Sequence, residues 1–93
     1  MNPQPKKVRT YAAIHDILFH EWDPIGCGVP PDEYDSYIPK VYSLLALREP
    51  PEKMFEYLWR LETIDMEMPG DRDKTQRVAE RLLRLPAEIA AAE

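Results

Sequence analysis

Four segments of this chain carry apolar residues at intervals of three and four, and prolines or glycines separate each segment from the next. This spacing is typical of helices that bury one face, because residues three and four apart lie on the same side of a helix. No stretch alternates apolar and polar residues over the length of a strand, and no Asn-Gly or Asp-Gly pair marks a hairpin. The sequence therefore predicts an all-α fold, a compact bundle of about four helices.

Helix one is predicted from about Val8 to Glu21. It ends near Trp22, because Pro24 disfavours a helical conformation at the residue before it and has no amide hydrogen to donate. Residues 23–26 then have the aspartate, proline and glycine of a type I turn. A loop rich in proline and glycine continues to residue 32 and joins helix one to helix two.

Three further helices are predicted after this loop: helix two from about Tyr37 to Arg48, helix three from about Glu52 to Glu67, and helix four from Asp71 or Asp73 to Ile89. Asp35 or Ser36 is expected to cap helix two. Such a cap places Pro39 in the first turn, where an amide has no partner within the helix. Pro86 is expected to kink helix four.

The 93 residues predict a single helical domain, because the chain is too short to form a second core. Residues 1–7 contain two prolines and no apolar pattern, so we expect a frayed N-terminus. Residues 87–93 are expected to form a loosely attached helical tail. No apolar run is long enough to cross a membrane and no secretory leader is recognisable, which predicts a cytoplasmic protein with no membrane partner.

The formal charge of −5 is unevenly distributed along the chain. Residues 1–15 carry three bases and no acid, whereas residues 16–40 carry six acids and one base. Clustered carboxylates repel phosphates, so we expect no nucleic-acid partner. The later bases Arg77, Arg81 and Arg84 have helical spacing but are interleaved with acids, and we interpret them as a solvated face. The charge pattern favours a partner protein with a basic surface.

The candidate interaction surface is the loop between helices one and two together with the start of helix two. The residues expected to contact a partner are Glu21, Asp23, Asp32, Glu33, Tyr34 and Asp35. The residues expected to support the loop from within are Trp22, Pro24, Gly26 and Tyr37. Carboxylates orient a partner that presents Arg or Lys, and aromatic rings add contact area. The alternative, that turn and capping chemistry alone explains these residues, stays open.

Residues with catalytic or metal-binding chemistry are sparse. Asp16 and His20 lie four residues apart on helix one, as two metal ligands on a helix do, so a metal-dependent hydrolase built on these two residues and an acid from the loop is one alternative. His15 cannot join His20, because the two are about 140° apart around the helix. Cys27 has acids nearby in the sequence, which disfavour a thiolate. We expect a non-enzymatic protein with no cofactor and no metal.

Two runs of residues are specific enough to compare with known families: LFHEWDPIG at residues 18–26 and PDEYDSYIP at residues 31–39. Together they resemble the signature of the YugE-like family of small bacterial helical proteins. The resemblance implies a compact bundle of about four helices and supplies no reaction, cofactor or catalytic residue. Residues 66–70 depart from the Met-Gly-Leu type of turn in that family, so the connection between helices three and four is expected to differ.

These observations predict a small acidic protein-protein interaction module. An immunity protein that neutralises a basic toxin, such as a nuclease, is an alternative that the acidity permits. Helix three also carries Tyr57 and Trp59 outside its apolar stripe, which leaves self-association through an aromatic patch open.

Overall fold

The computed structural model describes residues 5–91, and all the regular structure in this range is helical. The α-helices are α1 (Lys6–Ile17), α2 (Ile38–Ala46), α3 (Pro51–Arg60), α4 (Arg72–Leu83) and α5 (Leu85–Ala91). Only Arg84 separates α4 from α5, so we count these two helices as one rod. The described residues therefore form four helical rods. The predicted all-α bundle is confirmed.

Two of the rods end in a π-helical turn, which is wider than an α-helical turn. The first turn, Leu18–Trp22, extends α1, and the amide of Asp23 donates to the carbonyl of Leu18 (3.0 Å). The second, Leu61–Asp65, extends α3, and the amide of Met66 donates to the carbonyl of Leu61 (2.8 Å). Because these bonds reach back five residues instead of four, they turn the last side chains of each rod toward new neighbours.

The rods pack as two antiparallel pairs. Tyr11 of α1 packs against Tyr42 of α2, with ring centroids 5.2 Å apart, and His15 lies beside Asp35 at the start of that rod. Arg72, the first residue of α4, lies over the ring of Trp59 near the end of α3. The core contains the predicted stripes of all four rods, including Ile14, Ile17, Leu18, Trp22, Ile38, Val41, Leu44, Leu45, Met54, Leu58, Leu61, Val78, Leu82 and Leu85.

The helix starts differ in detail from the prediction. α1 begins at Lys6, so residues 6 and 7 of the predicted frayed segment are helical, and residues 1–4 lie outside the described residues. Pro39 lies in the first turn of α2 as expected, but neither Asp35 nor Ser36 caps this helix. The expected cap of α4 is present, since the carboxylate of Asp71 accepts from the amide of Lys74 (3.1 Å).

The last rod is interrupted just before Pro86, where the kink was expected, and continues as α5. The break falls at Arg84, so Pro86 lies within the first turn of α5 instead of interrupting a continuous helix. A proline is tolerated there, because the first amides of a helix have no partner within it. Within the predicted tail, residues 87–91 are helical and Ile89 packs against the core, while residues 92–93 lie outside the described range.

None of the helices between residues 5 and 91 combines the length and the apolar content that a bilayer crossing requires.

The connection between α3 and α4 depends on one glycine. Gly70 has a φ of +87°, and a Cβ placed there would lie 2.7 Å from the ring of Trp59. The ring itself is fixed by stacking on Phe55, with centroids 5.7 Å apart, and by Arg72 above it. The close approach of the backbone to this ring therefore requires the absence of a side chain.

Replacing Gly70 with alanine is expected to destabilise the protein more than the same change at Gly28. Both glycines have positive φ, which costs an alanine about 1–2 kcal/mol, but a Cβ at Gly28 meets nothing within 4 Å. The difference between the two variants therefore measures the clash with Trp59. Urea unfolding of Gly70→Ala and Gly28→Ala provides the test, and equal losses would contradict the proposed close approach.

Candidate interaction surface

Asp23 organises the turn that follows α1. Its backbone is left-handed, with a φ of +30°, and this ends the helix before Pro24. Its Oδ1 accepts from the amide of Gly26 (3.2 Å) and from the hydroxyl of Tyr34 (2.6 Å). The side chain of Asp23 thus stabilises the turn, as aspartate side chains often do. Half-buried Pro24 and exposed, left-handed Gly26 lie within this turn.

Tyr34 belongs to the core, so the prediction that it contacts a partner is wrong. The residue is only 2% exposed, and its ring packs against Trp22 with centroids 5.4 Å apart. Its hydroxyl donates to Asp23 and accepts from the amide of Ile25 (3.3 Å). Burial, the bond to Asp23 and the charges of Asp23 and Glu33 raise the pKa of the phenol. Tyr34 therefore supports the loop from within the core and is not accessible to a partner.

Asp35 joins the two rods on either side of the loop. Its Oδ1 lies 2.7 Å from Nδ1 of His15, twenty residues earlier in α1. Both side chains are partly exposed, at 45% for Asp35 and 33% for His15. Asp35 does not cap α2, because it begins a 3₁₀ turn, Asp35–Tyr37, that precedes this helix and puts Tyr37 at the cap position.

The remaining acids of the loop face solvent. Asp32 and Glu33 are exposed, and within residues 5–91 neither side chain forms a hydrogen bond or an ion pair. Glu21 is also exposed, and its Oε2 lies 4.0 Å from Nε of Arg81 in α4. We call these three residues the acidic edge. Asp32 and Glu33 lie in a tight turn, in which the amide of Glu33 donates to the carbonyl of Pro30 (3.0 Å).

The indole of Trp22 anchors this loop to the other pair of rods through Glu62, which was not among the predicted site residues. Trp22 is fully buried, and its Nε1 donates to Oε1 of Glu62 (3.0 Å). Glu62 is itself only 2% exposed. Its carboxylate also accepts from the hydroxyl of Thr75 (2.5 Å) and the amide of Asp71 (2.7 Å). One buried side chain thus joins the ends of α1 and α3 to the start of α4.

The pattern of helix three contains a signal for this burial. Glu62 follows Leu58 by four residues and Leu61 by one, so it continues the apolar stripe of that helix. Thr75 similarly lies three residues before Val78 on the stripe of α4. A polar residue in a core-facing position requires a hydrogen-bonding partner, and these two residues satisfy each other.

The other aromatic residues near the loop are partly buried. The rings of Tyr37 and Trp22 meet edge to face, with centroids 6.3 Å apart. Burial and the charges of Asp65 and Glu33 raise its pKa. Tyr57 and Trp59 are half-buried; the ring of Trp59 stacks on Phe55, and the guanidinium of Arg72 lies over both rings. These contacts occupy part of the ring surface that the sequence left available for self-association.

The basic stripe of α4 is partly neutralised within the molecule. Arg81 pairs with Glu88 (2.7 Å) and approaches Glu21, and Arg84 lies 3.8 Å from the same Glu88. Arg77 forms no ion pair within residues 5–91. Intramolecular pairing of this kind is typical of a solvated helix face.

The metal alternative requires a loop acid close to Asp16 and His20. Asp16 and His20 are exposed on α1 and its extension, and Cys27 is exposed in the loop. Among residues 5–91, no group of three or more His, Cys, Asp and Glu side chains is arranged to hold a metal ion. The edge of the ring of His20 instead contacts Phe19, with centroids 4.9 Å apart.

The chain matches no protein-family model, and no match is found among curated proteins or solved structures. The resemblance to the YugE-like family therefore stays a prediction from its two motifs.

Replacing Glu62 with glutamine is expected to destabilise the fold by about 1–3 kcal/mol, the usual cost of leaving a buried donor unsatisfied. All three partners are donors, and an amide offers one acceptor oxygen where the carboxylate offers two. At least one donor must then face the new NH2 group. Denaturant unfolding measures the loss, and Glu56→Gln, on an exposed position of α3, is the matched control. Equal stability of the two variants would contradict the anchoring role of Glu62.

Replacing Tyr34 with phenylalanine is expected to reduce stability at neutral pH by about 1–2 kcal/mol, because the bonds to Asp23 and Ile25 are lost. The folded-state pKa of Tyr34 is raised, so its contribution is complete below the unfolded pKa of about 10 and disappears as the pH rises further.

The stability difference between the wild type and Tyr34→Phe should therefore shrink above pH 10, by up to about 1.4 kcal/mol per pH unit for one proton. Unfolding curves between pH 7 and 11 measure this difference. The raised pKa values of Tyr37 and Tyr57 affect both proteins alike and cancel in the comparison. A difference that stays constant with pH would contradict the proposed linkage.

Proposed function

We propose that this protein is a non-enzymatic interaction module that presents its acidic edge, Glu21, Asp32 and Glu33, to a basic surface of a partner protein. The observation that carries the proposal is the contrast within one loop. Asp23 and Asp35 have partners inside the molecule, whereas the carboxylates of Asp32 and Glu33 face solvent with no side-chain bond among residues 5–91.

The loop is held in place on both sides of its exposed acids. The bond between Tyr34 and Asp23 closes it across eleven residues, and the contact between His15 and Asp35 fixes the start of α2. The bond from Trp22 to Glu62 attaches the whole segment to α3. A surface that is already ordered loses little conformational entropy when it binds, which favours a recognition role.

Each predicted contact residue has its own part in this proposal. Asp32, Glu33 and Glu21 are the direct contacts, because their carboxylates reach solvent. Asp23 and Asp35 add negative charge near the surface while their oxygens accept internal bonds. Tyr34 and Trp22 position the loop from the core. The acids then increase the rate of encounter with a basic partner and orient it.

Reversing the charges of Asp32 and Glu33 is expected to abolish partner binding and leave the helical content unchanged. Tagged wild type and Asp32→Lys/Glu33→Lys are compared by capture from a nuclease-treated lysate of cells that encode the protein, at 50 and 300 mM salt. The wild type should retain a stoichiometric protein with a basic surface at low salt and less of it at high salt, since salt screens exposed charges.

The matched control is Glu52→Lys/Glu56→Lys, which changes the net charge equally on exposed positions of α3. It should capture the same protein as the wild type. Equal capture by all three proteins would show that the acidic edge is not the binding surface. A captured toxin would identify the protein as an antidote, and any other protein would make it an adaptor.

A further inference from the structure

Side chains of α2 and α3 line a single cavity of about 370 Å³. The two helices belong to different pairs of rods, and each contributes residues with helical spacing, four apart on α2 and three or four apart on α3. The lining residues are Lys40, Leu44, Lys53, Glu56, Tyr57 and Arg60. Cavities that bind small molecules measure about 300–1,000 Å³, so this space suits a ligand of a few carbon atoms with a polar group.

Three bases and one acid line this cavity, in a chain whose net charge is −5. Lys53 is neutralised by Glu49, because its Nζ lies 3.1 Å from the carboxylate of that residue. Lys40 and Arg60 are exposed, and neither side chain forms a hydrogen bond or an ion pair within residues 5–91. Lys40 lies near the start of α2 and Arg60 ends α3. Two cations from different rods are therefore available at one cavity.

Tyr57 adds a third donor. The residue is half-buried, and its hydroxyl has no hydrogen-bond partner in the described part of the chain. Burial, followed by the electrostatic influence of Tyr37 and Asp65, raises the pKa of this phenol, so it keeps its proton at neutral pH. The phenol, the guanidinium of Arg60 and the ammonium of Lys40 all donate hydrogen bonds. A phosphate group suits them, since it carries negative charge and three acceptor oxygens.

The other two lining residues favour an ester over a bare phosphate. Glu56 is exposed and has no ion pair within residues 5–91, so its carboxylate repels an anion but accepts a hydrogen bond from a hydroxyl group. Leu44, which is 7% exposed, provides apolar surface for a carbon skeleton. A ligand with both a phosphate and a hydroxyl satisfies the donors and the acceptor of the cavity together.

We propose that this cavity binds a small phosphate monoester that carries hydroxyl groups. The phosphate accepts from Lys40, Arg60 and Tyr57, and a hydroxyl of the ligand donates to Glu56. Because the donors come from both α2 and α3, the bound ligand joins the two pairs of rods. This site is separate from the acidic edge and does not depend on it.

Titration of the protein with glycerol 3-phosphate, inorganic phosphate and glycerol tests the site. Each probe is added up to about 10 mM at constant ionic strength, and the amide signals are followed by NMR. Glycerol 3-phosphate should shift signals of α2 and α3 saturably, with a Kd of about 1 mM. Inorganic phosphate should bind more weakly, and glycerol should shift nothing. Glycerol 3-phosphate should also raise the melting temperature, because it binds the folded state.

Lys40→Gln and Arg60→Gln are each expected to weaken the binding of both phosphates about tenfold, since a charged hydrogen-bond donor is lost. Tyr57→Phe removes a neutral donor and should weaken binding about threefold. Arg77→Gln is the matched control. Arg77 is an exposed arginine of α4 without an ion pair in residues 5–91, and it does not line this cavity. Its replacement should leave both affinities unchanged.

Glu56→Ala separates recognition of the ester from recognition of the phosphate. The variant should bind inorganic phosphate more tightly than the wild type does, because a negative charge is removed from the cavity. Its preference for glycerol 3-phosphate should disappear, because the acceptor for the hydroxyl is lost.

Three results would overturn the proposal. The first is the absence of a saturable shift with either phosphate. The second is equal affinity of the wild type for glycerol 3-phosphate and inorganic phosphate, which would indicate an anion site without selectivity for an ester. The third is equal weakening by Arg60→Gln and Arg77→Gln, which would indicate general attraction of anions to surface bases.

Discussion

The buried carboxylate of Glu62 is the constraint on which the rest of this structure depends. It accepts hydrogen bonds from Trp22, Thr75 and Asp71, which belong to the end of α1 and to the start of α4. A buried carboxylate is costly unless its oxygens are satisfied. Since its donors come from the end of α1 and the start of α4, these bonds form together only when α1, α3 and α4 have packed against one another. A small core gains a single preferred arrangement from such a polar contact.

The two π-helical turns place this contact. Each forms the last turn of a rod, Leu18–Trp22 after α1 and Leu61–Asp65 after α3. The wider turns bring Trp22 and Glu62 within hydrogen-bond distance across forty residues of chain. The ring of Tyr34 packs on Trp22, and the hydroxyl of Tyr34 donates to Asp23 in the loop. Tyr34 thus connects the loop to the core. The exposed acids of the proposed surface therefore sit on a loop fixed from within.

Much of the fold followed from the sequence, because helical periodicity and helix breakers are local signals. The stripes of Ile14, Val41 and Leu58 faced the core as expected, and prolines and glycines marked the connections. The prediction was weaker for polar residues. Asp35 is of a residue type that often caps helices, but its carboxylate contacts His15, which is twenty residues away. Tyr34 lies among acids in the sequence, as a residue that contacts a partner would, but its ring packs against Trp22 in the core.

The sequence by itself determined the all-α class, the approximate ends of the rods and the segregation of acids from bases along the chain. These properties depend on neighbours within a few residues. Only the tertiary structure decided which acids reach solvent, because Asp23, Asp35 and Glu62 find donors in distant segments while Asp32 and Glu33 find none within residues 5–91. It also decided that the start of α1 lies beside the end of α2, because these two rods pack antiparallel.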